Sequence, residues 1–103
     1  MAVRSWTVHY SPEDRTEVVL QTEEGQVKKF AVQYLALFDR WTPIVRYDTA
    51  HGAPHRDVIH PDGRNDTKLL RGYELDQAFE FALRDIERSW PAYRERYEME
   101  LKR

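Results

Sequence analysis

With 103 residues, the chain has the length of one domain, and its 41% hydrophobic and 13% aromatic content fills a core without covalent staples. Charged residues make up 33% but net to only −2, which excludes a polyanion-wrapping protein of the histone kind and leaves room for a local basic patch. Cysteine is absent, which excludes a disulfide framework, a thiolate metal site and a thiol nucleophile, and fits a cytoplasmic protein.

The first elements read as strands. Trp6, Val8 and Tyr10 alternate with Ser5, Thr7 and His9. Ser11, Pro12, Glu13 and Asp14 form a turn cluster. Residues 17–22 are a β-rich run closed by Glu23, Glu24 and Gly25. Residues 28–38 fit two periods: Phe30, Val32, Tyr34, Ala36 and Phe38 suit a strand, while Phe30, Tyr34, Leu37 and Trp41 suit a helix face. We take the strand, and pair it as a hairpin with Ile44, Val45, Arg46 and Tyr47. If Phe38 sits opposite Ile44, Tyr34 comes within reach of Asp48. Residues 56–60 read as a further strand, ended by the turn Pro61, Asp62 and Gly63.

From about Glu74 the period changes. Leu75, Ala78, Phe79, Ala82, Leu83, Ile86 and Trp90 form one helical stripe. Pro91 cannot donate to the carbonyl of Glu87, so a kink or brief break is expected there. Tyr93, Tyr97 and Leu101 continue the stripe, so the helix should keep its phase. The expected fold is α+β: a single domain over residues 1–103, with an antiparallel meander of four to five strands and a long, Pro-kinked C-terminal helix packed on one face. A helix over residues 74–102 runs about 40 Å at 1.5 Å per residue. Its far end, together with Phe81, Phe30 and Val32, leaves apolar surface that predicts a homodimer. No apolar run has the length of a membrane span, and Met1 to Trp6 hold no apolar signal core, so no membrane association is expected.

The segment over residues 46–63 holds three of the four histidines, with carboxylates and arginines between them. His51 and His55 are four apart, but Gly52 and Pro54 disfavour the helix that would give this spacing its metal-binding meaning. If His51 to Pro54 is the loop of a hairpin, Ala50 faces His55, Asp48 faces Asp57, and Tyr47 faces Val58. One face then carries Val45, Tyr47 and Val58 toward a core. The other gathers Arg46, Asp48, His55 and Asp57, with His60 turned away. Two carboxylates set directly opposite repel, so Arg46, Arg56, a protonated His55, a shared proton or a cation must relieve them. A structural network, a catalytic or ligand site, and a metal site all remain open on this pattern. Arg46, Arg56, Arg64, Lys68 and Arg71 also gather near the segment, and Tyr34, Tyr47 and Tyr73 offer stacking surfaces.

The strings Arg46-Tyr47-Asp48, Ala50-His51-Gly52, Pro54-His55-Arg56-Asp57 and His60-Pro61-Asp62-Gly63, with the downstream Ala78, Phe81-Ala82 and Asp85-Ile86, resemble the hallmark of a small prokaryotic family of unknown function. More distantly, Arg46, Asp48 and His51 or His55 are similar to a motif of TumE-like toxins of toxin–antitoxin pairs. That resemblance implies a growth-inhibiting toxin acting on RNA, with an antitoxin partner. Under this expectation His55 or His51 is the general acid/base, Asp48 orients it, Asp57 belongs to the same catalytic group, and Arg46 or Arg56 holds a phosphate, with no cofactor and no metal. The alternative is a non-catalytic interaction module whose histidine segment is a structural corner or ligand contact. Exposure and pointing of the side chains separate the two.

Overall fold

The computed structural model covers residues 1–103, and the side chain of His51 lies outside the described residues. Six strands follow in chain order: β1 (Ala2–Ser11), β2 (Asp14–Glu23), β3 (Gln26–Leu37), β4 (Trp41–Asp48), β5 (His55–Ile59) and β6 (Asn65–Leu69). They form one antiparallel sheet in the order β1-β2-β3-β4-β5-β6, and a single helix, α1 (Leu75–Leu101), closes the chain. The α+β meander is as expected, but the strand count is six rather than four to five. The additional strand is β6. Every one of its residues is exposed, so it carries no apolar alternation to announce it. A polar edge strand of this kind also guards against pairing with other sheets.

The helix covers one face of the sheet. That face presents Val18 and Leu20 of β2, Phe30, Val32, Tyr34 and Ala36 of β3, and Val45 and Tyr47 of β4, all buried. Against them α1 lays Ala78, Phe79, Ala82 and Ile86, with Leu83, Trp90 and Tyr93 half-buried beside them. The stripe is aromatic at both ends. Phe79 meets Phe30 at 5.5 Å and Trp6 at 6.3 Å, while Tyr97 stacks on Phe38 at 5.7 Å. Helix α1 begins with Glu74, whose N–H donates to Gln77 Oε1, a reciprocal N-terminal cap. Pro91 sits inside it without interrupting it, and the apolar stripe continues in phase to Tyr97. No helix is long and apolar enough to cross a membrane among the described residues.

Three expectations are revised. A bulge places the extra residue Ile44 between the pairs Tyr34–Val45 and Leu35–Pro43, so Tyr34 lies on the helix face. Its hydroxyl therefore donates to Asp14 at 2.6 Å and does not approach Asp48. Phe30 and Val32 lie under the helix, so they leave no apolar patch on the other face. Of the far end of the helix, Tyr97 is buried against its own sheet and Glu100 is held by His60, while Leu101 remains exposed as expected.

Candidate functional site

The β4–β5 hairpin positions the histidine segment. Asp48 ends β4, a single 3-10 turn follows at Ala50–Gly52, and His55 begins β5. Gly52 adopts φ +87°, a left-handed conformation that a side chain resists. Asp48 Oδ1 accepts the N–H of Ala50 at 3.0 Å and so caps this turn. The loop is longer than the sequence reading takes it to be, and the register moves accordingly. Asp48 pairs with His55, Tyr47 with Arg56, Arg46 with Asp57, and Val45 with Val58. The expected opposition of Asp48 and Asp57 does not occur. Each carboxylate instead faces a basic side chain across the ladder, which removes the predicted repulsion.

The shift from the expected pairing is two residues, and an even shift leaves every side chain on its face. Arg46, Asp48, His55 and Asp57 therefore do share the sheet face that the helix leaves uncovered. His55 Nε2 lies 3.1 Å from Asp48 Oδ1 and 3.5 Å from Asp57 Oδ2. Its Nδ1 lies 3.1 Å from the carbonyl oxygen of Ala53. Arg46 Nε donates to Asp48 Oδ2 at 2.5 Å, and its NH1 donates to Gln33 Oε1 at 2.8 Å. Thr67 of β6 donates to Asp57 Oδ1. Asp48 and His55 are buried, whereas the Arg46 side chain is 43% exposed. Burial alone would raise the Asp48 carboxyl, but hydrogen bonds from Arg46 and the Ala50 N–H, together with the charges of Arg46 and His55, outweigh it and hold it below the usual carboxylate range.

Arg56 does not join this group. It lies on the helix face, where its Nη1 donates a long, 3.4 Å hydrogen bond to the Tyr93 hydroxyl. His51, the other candidate acid/base, lies outside the described residues. His60 points to the helix face, as expected from its parity with His55. It is buried between two carboxylates, with Nε2 2.6 Å from Asp66 and Nδ1 2.9 Å from Glu100. Those two hydrogen bonds raise its pKa above the ordinary histidine value.

Two further polar clusters escape sequence reasoning. Asp14, expected only in a turn, is buried and accepts from Ser11 at 2.6 Å, Tyr34 at 2.6 Å and Arg94 at 2.7 Å. Asp85 accepts the hydroxyls of Tyr47 at 2.7 Å and Tyr93 at 2.5 Å. Arg94 lies 80 positions from Asp14, and Tyr47 lies 38 from Asp85, so only the assembled fold brings them together. Gln33 and Thr67 are legible only once their strands are paired.

As a chemical unit, the histidine cluster has little spare capacity. Acceptors face both ring nitrogens, the Ala53 carbonyl on one side and Asp48 with Asp57 on the other, and only the doubly protonated ring donates to both sides at once. Both Asp48 oxygens are engaged. Among the described residues, no group of three or more His, Asp or Glu is placed to hold a metal ion. No curated protein and no solved structure matches the chain. A family model for a domain of unknown function matches residues 1–103, the whole of the sequence, and the chain therefore belongs to the DUF7718 family.

Proposed function

We propose that the protein is a non-catalytic binding module whose histidine segment is a structural corner. The observation that carries this reading is the enclosure of His55: its ring is buried, with one nitrogen turned to the Ala53 carbonyl and the other to Asp48 and Asp57, so both nitrogens are directed at the protein itself. Asp48 in turn caps the Ala50–Gly52 turn, pairs with Arg46 and faces His55. Through Gln33 and Thr67 the cluster spans four neighbouring strands, which is what a corner that sets the outer half of a sheet requires.

The second reading is a toxin of the toxin–antitoxin type with a ribonuclease-like site. It draws on the half-exposed Arg46 guanidinium beside Asp48 and His55 on the open face, a placement suited to an RNA phosphate. His55 would then act as acid/base, and an antitoxin would cover the face.

The two readings part on one pair of measurements with the wild-type protein and His55→Ala. The binding-module reading expects no RNA cleavage and no growth arrest from the wild type, and a lowered melting temperature for the variant. RNA cleavage that vanishes in His55→Ala with an unchanged melting temperature would overturn it.

A further inference from the structure

A concavity lies on the opposite side of the β4–β5 hairpin from the histidine cluster. Its floor is a cross-strand row on the helix face: Tyr47 of β4, Arg56 of β5 and Lys68 of β6 are successive partners in the ladder. Arg71 and Tyr73, from the connection between β6 and α1, and Phe81 of α1 complete the lining. The cavity measures about 340 Å³, within the range of pockets that hold small organic ligands.

Its charge is out of keeping with the rest of the molecule. The chain as a whole nets −2, yet this cavity collects three cations, and no acidic side chain lines it. None of Arg56, Lys68 and Arg71 makes an ion pair among the described residues. Arg56 is the least satisfied of them. Its Nε is buried without a partner, and its other contacts are to neutral hydroxyls, that of Tyr93 at a long 3.4 Å and that of Tyr47. Asp85 is engaged by the Tyr47 and Tyr93 hydroxyls and offers Arg56 no direct bond. Three uncompensated cations converging on one concavity favour an anion, and a guanidinium with spare donors favours a phosphate.

The aromatic half of the cavity is partly open to solvent. Tyr73 is 41% exposed and Phe81 38% exposed, with ring centroids 5.4 Å apart and planes tilted by 51°. Phe81 also meets Tyr47 edge-on at 6.1 Å. Two adjoining rings left open beside a cationic floor match the two halves of a nucleotide, with the base against the rings and the phosphate on the arginines.

We infer that the cavity formed by Tyr47, Arg56, Lys68, Arg71, Tyr73 and Phe81 binds a nucleoside monophosphate unit, either as a free nucleotide or as one residue of single-stranded RNA. This deepens the binding-module reading by naming its ligand, and rests on that reading only in that the ligand is bound and not cleaved.

The test is calorimetric titration of the full chain with AMP, adenosine, inorganic phosphate and a short oligoadenylate, repeated for Lys68→Gln/Arg71→Gln, Tyr73→Ala and the distant control Arg88→Gln. Lys68, Arg71 and Tyr73 are exposed and outside the core, and circular dichroism verifies that the variants fold. Saturable 1:1 binding of AMP is expected, weakened about tenfold or more by the double charge variant and about fivefold or more by Tyr73→Ala, and unchanged by Arg88→Gln. Tighter binding of the oligoadenylate than of AMP would identify RNA as the source, and equal binding would identify the free nucleotide. The inference is overturned if AMP and the oligoadenylate both fail to saturate, or if inorganic phosphate binds as well as AMP and Tyr73→Ala has no effect. RNA cleavage by the wild type would overturn the binding-module reading but leave the cavity standing. Absence of binding by both AMP and the oligoadenylate would overturn the cavity and leave the structural role of His55 intact.

Discussion

His55 stands directly opposite Asp48 in the β4–β5 ladder, with its Nε2 3.1 Å from Asp48 Oδ1. The pair closes a turn on one side, through the Ala50 N–H, and holds Arg46 on the other. Removing one member therefore strands the other in a buried position. Asp48→Ala is expected to cost about 1–3 kcal/mol through the donors it leaves unpaired, and His55→Ala about the same. The double variant should cost less than the sum of the two, with a coupling of about 0.5–3 kcal/mol. Urea denaturation of the four proteins measures it, and strict additivity would show that the two side chains do not act as a unit.

His60 gives the fold an alkaline weakness. Asp66 and Glu100 raise its pKa in the folded state. A histidine raised in this way contributes stability that is full below its unfolded pKa of about 6.5 and is lost as pH rises through the folded value. The tie it makes joins the end of β5 to β6 and to the last turn of α1. His60→Gln should therefore lower the melting temperature clearly at pH 5.5 and much less at pH 9. An equal drop at both pH values would mean that the residue acts by packing alone.

The two phenylalanines two positions apart on α1 should behave oppositely. Phe79 is buried under Trp6 and Phe30, and truncation to Ala is expected to cost about 3–5 kcal/mol. Phe81 lies at the open edge of the stripe, where the same change should cost about 1 kcal/mol or less. Chemical denaturation of both variants checks the contrast, and a Phe81→Ala cost matching that of Phe79→Ala would place Phe81 in the core.

What the sequence makes legible here is periodicity, and what it hides is pairing. Trp6 and Tyr10 of the period-two run are half-buried on one face, with Val8 exposed, and the helical stripe delivers Ala78, Phe79, Ala82 and Ile86 to the core, so burial is written into the residue order in both. β6 is missed because it is held by β5 and not by a buried face of its own. The histidine face was recoverable because side-chain parity survives a two-residue change of register. The partners within it were not, because loop length sets the register and residues 49–54 carry no unambiguous turn signal. Arg56 shows the same limit. Its place in the motif suggests company with His55, while its parity sends it through the sheet to Tyr93.

Asp14 supplies the acid counterpart to His60. Burial would raise its carboxyl, but hydrogen bonds from Ser11, Tyr34 and Arg94 outweigh burial and lower its pKa below the ordinary carboxylate value. A carboxyl depressed in the folded state contributes stability that is present above its unfolded pKa, about 3.9, and is lost as pH falls through the folded value. Asp48, lowered in the same direction, adds to the same branch. Asp14→Asn should therefore destabilise the protein at pH 7, with the difference from wild type shrinking as pH falls below about 4. The variant also loses the anchor that Arg94 gives between the β1–β2 turn and the second half of α1, so the loss should appear first as faster amide exchange near Tyr34 and Arg94. Thermal melts of both proteins from pH 7 to pH 3 test the first expectation. A gap that widens toward acid would show that the Asp14 carboxylate does not stabilise the fold through its charge.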